Sequence, residues 1–281
     1  MTIFEAYNKT KKKLEAAGIE DFVFEAKQII KHITGLSAPQ ILSNYNKNLT
    51  EFQEANLIAI TRQREIRYPL QYIFGEWDFY GRPFYVGPGV LVPRADTETV
   101  VEECIDFLKK SKGKTVLDLC AGSGAIGITL AKEFGDAQVT MVEKFPEAMR
   151  YAERNVKRNN AENISILQDD VLTPTAEYEK YDLIVSNPPY IPQSQMSEIS
   201  PETKFEPETA LLADDEGMQF YKAIIENYTE FLNLSGMLCF EVGIGESEMV
   251  ARLLENKGFS DIKLKKDLGG IDRAVSAIKI K

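Results

Sequence analysis

Residues 115–127 decide the fold, and they read Thr-Val-Leu-Asp-Leu-Cys-Ala-Gly-Ser-Gly-Ala-Ile-Gly. The apolar run at 116–119 predicts a buried strand, and the glycines that follow predict a tight turn into a helix. Gly122, Gly124 and Gly127 match the G-x-G-x-x-G pattern of nucleotide-binding folds. Glycines in such a turn let the backbone approach a ligand closely, and the helix N-terminus favours an anionic group. The turn therefore predicts a nucleoside-type cofactor, with a purely structural turn as the alternative.

Strands and helices are predicted to alternate on both sides of this turn. Further apolar runs that are typical of strands occur at 139–143, 164–167, 181–186, 237–242, 261–266 and 273–280. Helical patterns occur at 125–134, after Pro146, at 218–231 and at 248–256, and Asp96 is predicted to cap a helix that reaches Leu108. Alternation of this kind indicates an α/β fold, in which helices cover both faces of a parallel sheet.

The N-terminal part of the chain has a different pattern. Residues 1–67 are predicted to form a small helical domain, in which Thr50 and Gln53 have the spacing of a capping box. Residues 68–92 are rich in aromatic residues, glycine and proline, which predicts short strands and turns in a hairpin or linker. Residues 93–281 are predicted to form the catalytic domain.

Charge is distributed unevenly along the 281 residues. The net charge of −10 falls entirely after residue 80, and seven acidic residues against one lysine lie between Glu198 and Glu216. Because a surface that binds a phosphate backbone is normally basic, this balance disfavours free nucleic acid and favours a basic protein partner. We expect the acidic stretch 198–216 to attract such a partner over a long range.

Targeting signals and metal-binding patterns are not evident in the sequence. We expect no secretory signal at the N-terminus and no membrane span, since no apolar run approaches about 18 residues. Cys104, Cys120 and Cys239 are odd in number and lack the close spacing of a zinc site. A reduced, cytoplasmic protein without a bound metal is expected.

Carboxylates near the glycine turn discriminate between possible cofactors. Glu143 ends the next strand 21 residues after Gly122, where a carboxylate can accept hydrogen bonds from both ribose hydroxyls. NAD and S-adenosylmethionine both contain such a ribose. Asp118 would repel a pyrophosphate but suits an ammonium group and a sulfonium centre, so S-adenosylmethionine is favoured. Asp169 and Asp170 follow the third strand, and either one could meet the adenine amino group or serve only in a turn.

The tetrapeptide Asn187-Pro188-Pro189-Tyr190 directly follows the predicted strand 181–186. Ligands of open α/β sheets bind beyond the carboxyl ends of the strands, so this segment faces the predicted cleft. The two prolines stiffen the backbone, which presents the Asn187 side chain and the Pro188 carbonyl together. Two adjacent acceptors can bind both N–H bonds of a planar NH₂ group, and the Tyr190 ring can stack on it. The pattern predicts methylation of a conjugated amino group, and the single histidine, His32, excludes a histidine-based triad.

A series of short motifs runs in order along the chain from residue 69. They are Pro-Leu-Gln-Tyr-Ile at 69–73, Phe-Tyr-Gly at 79–81, Pro-Gly-Val-Leu-Val-Pro-Arg at 88–94 with Thr97-Glu98, the turn at 118–124, Asn187 to Tyr190, and Phe-Glu-Pro-Glu-Thr-Ala-Leu at 205–211. In these motifs the chain resembles the release-factor glutamine methyltransferases, the HemK-type proteins. It differs from the common family pattern at Cys120-Ala121, at Glu143 and at Val171.

The resemblance implies both a fold and a reaction. The fold is a class I, Rossmann-like methyltransferase with a seven-stranded, mainly parallel sheet and an antiparallel last strand, preceded by a helical substrate-recognition domain. The substrate is the glutamine side chain in the Gly-Gly-Gln tip of class 1 translation release factors, and we expect a cytoplasmic monomer. The implied catalytic and substrate-binding residues are Asn187, Pro188, Pro189 and Tyr190. The implied S-adenosylmethionine-binding residues are Asp118, Cys120, Ala121, Gly122, Ser123, Gly124, Glu143, Asp170, Val171 and Asn187.

Two other functions fit part of the sequence. An adenine amino-methyltransferase acting on DNA or RNA would use the same tetrapeptide, but base-flipping enzymes need a basic channel for the flanking strand. An NAD-dependent oxidoreductase would fit the glycine turn but leaves the segment 187–190 unexplained. Cofactor binding separates the second alternative, and the choice of methyl acceptor separates the first.

Overall fold

The computed structural model describes all residues from 1 to 281, and they form two compact units. The first unit contains residues 1–75 together with residues 200–205, and the second contains 76–199 and 206–281. The sequence-based boundary at residue 67 differs because Leu70 is buried in the helical core. None of the helices combines the length and the apolar character that crossing a membrane requires.

The first unit is a helical bundle. Its helices are α1 (Ile3–Ala16), α2 (Phe22–Thr34), α3 (Ala38–Ser43), α4 (Glu51–Glu65) and α5 (Leu70–Phe74). The predicted capping box is confirmed, because the Thr50 hydroxyl accepts from Gln53 N and the Gln53 side chain accepts from Thr50 N. Gly35 adopts the left-handed conformation that ends α2. Apolar side chains such as Leu14, Ile29 and Ile30 form the core of the bundle.

Residues 200–205 belong to the helical unit although they lie more than a hundred residues further along the chain. Glu202 accepts hydrogen bonds from Arg67 at 2.6 and 2.9 Å and from Arg64 at 3.1 Å. The Arg64 side chain is 1 % exposed and also binds Glu25 and the Tyr68 carbonyl. The Glu202 carboxylate, which comes from the loop after residues 187–190, therefore helps to neutralise two arginines of the helical bundle.

The second unit is built on a seven-stranded sheet, which confirms the α/β prediction. Its strands are β3 (Thr115–Leu119), β4 (Gln138–Glu143), β5 (Ile164–Gln168), β6 (Tyr181–Ser186), β7 (Leu232–Glu241), β8 (Phe259–Lys266) and β9 (Asp272–Lys279). The order is β5-β4-β3-β6-β7-β9-β8, and only β9 runs antiparallel to its neighbours. The helices are α6 (Glu98–Leu108), α7 (Ala125–Glu133), α8 (Pro146–Arg158), α9 (Gln219–Tyr228) and α10 (Ser247–Lys257).

A short hairpin precedes the sheet. Strands β1 (Glu76–Phe79) and β2 (Arg82–Tyr85) pair antiparallel, as the aromatic-rich segment predicts. Phe79 and Phe84 are buried in the core of the second unit. The first residues of the predicted linker instead form α5 of the helical unit.

The predicted cap at Asp96 is wrong. Helix α6 begins at Glu98 after a 3₁₀ turn at Ala95–Thr97, and no side chain caps its first turn. The Asp96 carboxylate instead lies 3.4 Å from the Arg273 guanidinium on β9. Asp96 lies inside the 3₁₀ turn, one residue before the N-cap position that Thr97 occupies, so its carboxylate is not placed to cap α6.

Candidate active site

A cavity of about 380 Å³ lies at the carboxyl ends of β3, β4, β5 and β6, entirely within the second unit. This is the position at which open α/β sheets bind their ligands. Nine of the ten predicted cofactor-binding residues line it, namely Asp118, Cys120, Ala121, Gly122, Ser123, Glu143, Asp170, Val171 and Asn187. Gly124 is the exception, because it does not line the cavity and instead allows close packing at the start of α7.

The glycine turn is shaped by residues with positive φ. Cys120, Gly122 and Gly124 have φ values of 60°, 56° and 79°. A Cβ on Gly124 would lie 2.9 Å from Ile128 Cδ1, and one on Gly127 would lie 2.8 Å from Met141. These two glycines therefore let the start of α7 pack closely on the sheet, whereas Gly122 has open space beside it.

Glu143 closes the turn against the end of β4. Its Oε2 accepts from Gly122 N at 2.8 Å and its Oε1 accepts from Phe145 N at 2.9 Å. Burial raises the pKa of this carboxyl, while the two backbone bonds oppose that rise. Each oxygen keeps a further lone pair for a second donor, so the carboxylate can accept both hydroxyls of a ribose.

Asp118 is a buried carboxyl with one oxygen unpaired. Its Oδ2 accepts from Gly127 N at 2.8 Å, and its Oδ1 is buried without any hydrogen-bond partner. Burial raises the pKa of this carboxyl to about 7. A buried carboxylate oxygen needs a partner, and a cationic group in the cavity would supply one. The site therefore fits the ammonium group of S-adenosylmethionine.

Asp169 and Asp170 have separate roles in the structure. Asp169 is saturated by donors from its own loop, including Thr175 N, Ala176 N and the Tyr178 hydroxyl. Asp170 accepts from Leu172 N and forms an ion pair with Lys144 at 2.7 Å. Since Asp169 has no capacity left, Asp170 is the better candidate for an adenine contact.

The segment 187–190 follows β6 with Asn187 in the cavity wall. Pro189 also lines the cavity, whereas Pro188 and Tyr190 are not among its lining residues. Asn187 Nδ2 donates to Thr97 Oγ1 at 3.4 Å, and the Tyr190 hydroxyl donates to Glu241 Oε1 at 3.5 Å. No protein donor occupies Asn187 Oδ1, so this oxygen is available to a ligand.

Sequence reasoning missed one wall of the cavity. This wall comes from two segments before and after the central strands, with Gly89, Val90, Leu91, Pro93, Arg94 and Thr97 from one and Pro207, Glu208, Thr209 and Ala210 from the other. Glu206 joins the segments, because it accepts from Val92 N at 3.0 Å and pairs with Arg94. Both segments lie in the motifs on which the family resemblance rests, so these motifs could have indicated this wall of the cavity.

Comparison with known proteins places the chain in a family. A family model described as the PrmC N-terminal domain matches residues 5–75, and one described as the methyltransferase small domain matches residues 97–215. The release factor glutamine methyltransferase of Geobacter sulfurreducens is 36 % identical over 275 residues, which cover 98 % of this chain and 95 % of that protein. The protein of the same name from Fusobacterium nucleatum is 34 % identical, over 98 % of this chain and 78 % of its own length. The chain belongs to the release factor glutamine methyltransferase family.

Solved structures agree with this family on the fold. A methyltransferase from Pyrococcus furiosus superposes with a TM-score of 0.53 at 21 % identity, over 72 % of this chain and 91 % of that one. A 16S rRNA methyltransferase from T. thermophilus gives 0.52 at 21 % identity, over 73 % and 49 %. As a member of the release factor glutamine methyltransferase family, the protein is an S-adenosylmethionine-dependent methyltransferase. The resemblance noted from the motifs is thus confirmed.

Proposed function

We propose that this methyltransferase modifies the side-chain amide nitrogen of the glutamine in the Gly-Gly-Gln motif of class 1 translation release factors. The observation that carries the proposal is the unoccupied acceptor of Asn187, which lies in the cavity wall directly after β6. The names of the relatives supply the substrate. A substrate from translation implies a cytoplasmic enzyme.

Three carboxylates would hold the cofactor. Glu143 would accept from the ribose hydroxyls, Asp118 from the ammonium group and Asp170 from the adenine amino group. The glycine turn would supply close backbone contacts, and Val171 is buried against the same cavity. S-adenosylmethionine provides, when bound, a methyl group made electrophilic by its sulfonium centre. The electrostatics of the cavity match such a cation better than they match a pyrophosphate.

The substrate amide would be held by acceptors from the stiff segment 187–190. Asn187 Oδ1 and the Pro188 carbonyl would each accept one N–H bond of the substrate amide. Two such hydrogen bonds fix the plane of the group and increase electron density on its nitrogen, which is orientation combined with electrostatic stabilisation. The Tyr190 ring would then stack on the amide, with its hydroxyl directed to Glu241.

The residues of the site give little support to the two alternative functions. An adenine amino-methyltransferase would need a basic path for a nucleic-acid strand, whereas the part of the chain after residue 80 carries the whole net charge of −10. An NAD-dependent enzyme would set a pyrophosphate against the buried Asp118 carboxyl. An NAD-dependent enzyme also leaves the free acceptor of Asn187 without a role.

The decisive experiment compares methyl acceptors. Purified protein and S-adenosylmethionine are incubated with a class 1 release factor, with the same factor after Gln→Ala substitution in its motif, with DNA and with ribosomal RNA. Mass spectrometry should find one added methyl group on the intact factor only. Asn187→Ala should reduce turnover by roughly 10²–10³-fold and leave cofactor affinity close to that of the wild type. If turnover survives while cofactor binding fails, Asn187 is a cofactor residue and the proposed role is wrong.

A further inference from the structure

The proposed stacking role of Tyr190 requires its backbone to be fixed on both sides. Pro188 and Pro189 fix the chain before it, because each ring locks its own φ and restricts the residue in front of it. Neither proline restricts the ψ of Tyr190 or the residues that follow. Another part of the chain must therefore hold the Tyr190 carbonyl in place.

The segment 211–213 holds the residue directly after Tyr190. Ile191 N donates to the Leu211 carbonyl at 2.8 Å, and Ala213 N donates to the Ile191 carbonyl at 2.9 Å. Ile191 and Leu212 thus form a parallel bridge outside the seven-stranded sheet. The Tyr190 carbonyl takes part in neither hydrogen bond, so the bridge alone does not fix it.

Gly217 packs against that carbonyl. A Cβ at this position would lie 2.5 Å from the Tyr190 carbonyl oxygen and 2.7 Å from Glu246 Oε1, and both distances are shorter than a normal contact. The Glu246 carboxylate is itself held, since its Oε2 accepts from Gly243 N at 3.0 Å and from the Tyr221 hydroxyl at 3.1 Å. Only a residue without a side chain fits between the two oxygens.

The turn that contains Gly217 has an unusual backbone conformation. Asp215, Glu216 and Gly217 have φ values of 58°, 50° and 88°. Left-handed φ values are unfavourable for residues with a Cβ, and strain of this kind is typical of functional segments. The side chains of Asp215 and Glu216 are exposed, so their own packing does not explain the strain. The close approach of the next residue to Tyr190 does explain it.

We propose that Gly217 is a positioning residue, which places its bare backbone against the Tyr190 carbonyl and so holds the Tyr190 ring where it stacks on the substrate amide. The inference rests on the proposed function of the segment 187–190. Gly217 is not among the residues that line the cavity, so it does not need to touch the reacting atoms. It acts through the backbone of Tyr190.

Gly217→Ala tests the contact at about pH 8 with a release factor as substrate. The added Cβ displaces the Tyr190 carbonyl, and kcat should fall by about tenfold to a hundredfold, because a misplacement of about 1 Å can have an effect of this size. The affinity for S-adenosylmethionine, measured by calorimetry, should change little. Gln219 and Phe220 line the cavity just after the turn. If cofactor affinity falls as much as kcat, the turn shapes the cofactor site and the proposal is wrong.

The matched control is Gly258→Ala. Gly258 also has a left-handed φ, of 95°, and it ends α10, but a Cβ there would meet no atom within 4 Å. Both variants place an alanine at a positive φ, so both should lower the midpoint of urea unfolding. Only Gly217→Ala should lower kcat. Equal kcat values in the two variants would show that the contact with Tyr190 has no part in turnover.

A longer turn tests the same contact without adding a side chain. One glycine inserted between the exposed residues Asp215 and Glu216 should leave the fold intact and release the Tyr190 carbonyl. The value of kcat should again fall by about tenfold or more. The control is a glycine inserted between the exposed residues Gly135 and Asp136, in the loop before β4 at the opposite end of the sheet, and it should not lower kcat. Equal rates in the two insertion variants would overturn the proposal even if the alanine variant does not fold.

Fluorine spectroscopy reports on the Tyr190 ring without any turnover. In protein labelled with 3-fluorotyrosine, the Tyr190 signal is the one that disappears in Tyr190→Phe. It should shift in Gly217→Ala and remain in place in Gly258→Ala. If kcat falls in Gly217→Ala while this signal does not move, the effect has another origin and the proposal is wrong. Full turnover in Asn187→Ala, by contrast, would overturn the proposed function on which the inference rests.

Discussion

Arg64 and Glu202 lie 138 residues apart in the chain, and their side chains form an ion pair of 3.1 Å in the helical unit. The arginine is almost fully buried and also binds Glu25, whereas Arg67 binds the same Glu202. Because buried charges need partners, this cluster holds residues 200–205 on the bundle. The relationship gives the first prediction.

Removing the Glu202 carboxylate should destabilise the helical unit. Glu202→Ala leaves Arg64 with Glu25 alone and Arg67 without a carboxylate, so the free energy of unfolding should fall by about 1–3 kcal/mol. Urea unfolding followed by circular dichroism measures the change. Glu226→Ala is the matched control, since it breaks the exposed ion pair with Lys257, and it should cost at most about 1 kcal/mol. Equal losses in both variants would show that the cluster contributes no more to stability than an exposed ion pair does.

Loss of the Glu143 carboxylate should weaken cofactor binding. Glu143→Ala removes a charged acceptor of two hydroxyls, and we expect a loss of roughly 1–3 kcal/mol in S-adenosylmethionine affinity by calorimetry. Because Glu143 also binds Gly122 N and Phe145 N, circular dichroism must show that the variant is folded. Asp136→Ala removes an exposed acid that binds Lys114 and is the control. An unchanged affinity in folded Glu143→Ala contradicts the ribose assignment.

Cofactor affinity should depend on pH through Asp118. With a pKa of about 7, this carboxyl is protonated in the free protein at lower pH, and it must lose that proton to pair with an ammonium group. Affinity for S-adenosylmethionine should therefore fall as the pH drops below about 7, by up to about tenfold per pH unit. Asp118→Asn should bind more weakly at about pH 8 and lose this dependence. Identical pH profiles for the two proteins would exclude Asp118 as the titrating group.

The same raised pKa has an opposite consequence for the stability of the free protein. Between about pH 4 and pH 7 the folded state retains a proton on Asp118 that the unfolded chain loses. The free energy of unfolding should therefore decrease as the pH rises across this window. Asp118→Asn should flatten this part of the profile in urea unfolding measurements. An unchanged slope would show that other buried carboxyls, such as Glu241 and Glu246, determine it.

The acidic stretch 198–216 should attract its substrate through only some of its residues. Glu202, Glu206 and Asp215 are already paired with Arg67, Arg94 and Lys222, respectively. Glu198, Asp214 and Glu216 are exposed and form no ion pair. Replacing these three by their amides should flatten the fall of kcat/KM with rising salt, because steering by exposed charges is screened beyond about 8 Å. The same change at Glu153, Glu162 and Glu255, which are also exposed, should not. If kcat/KM falls equally steeply with salt in both triple variants, the exposed acids of the stretch 198–216 do not steer the substrate.

Local chemistry explains what the sequence could predict. The glycine turn, the segment 187–190 and the cap at Thr50 each depend on residues that are adjacent in the chain, and all were visible there. The number of strands and the antiparallel last strand followed from the family resemblance rather than from the pattern. The distinction between Asp169 and Asp170 was not visible, because it depends on how one loop folds back onto its own carboxylate.

Contacts between distant segments explain what the sequence could not predict. Thr97 and Asn187 lie 90 residues apart in the chain, and only the fold brings their side chains together. The sequence predicted that Asp96 caps the nearest helix. Its actual partner, Arg273, lies on the last strand, far away in the chain. The pairing of Glu202 with Arg64 and Arg67 likewise has no local signal. Charge pairs between distant segments of this kind have no signal in the local sequence.

The discontinuity of the helical unit limits how this protein can be recombined with its relatives. A chimera made by a single crossover near residue 75 would combine the bundle of one parent with the 200–205 segment of the other. Arg64 and Arg67 would then meet a foreign loop, and any mismatch at the position of Glu202 would leave two guanidinium groups poorly neutralised. A functional exchange of the helical unit needs a second graft of six residues, 200–205. The helical unit can therefore be exchanged only as a pair of segments, residues 1–75 and 200–205, and not as one contiguous stretch.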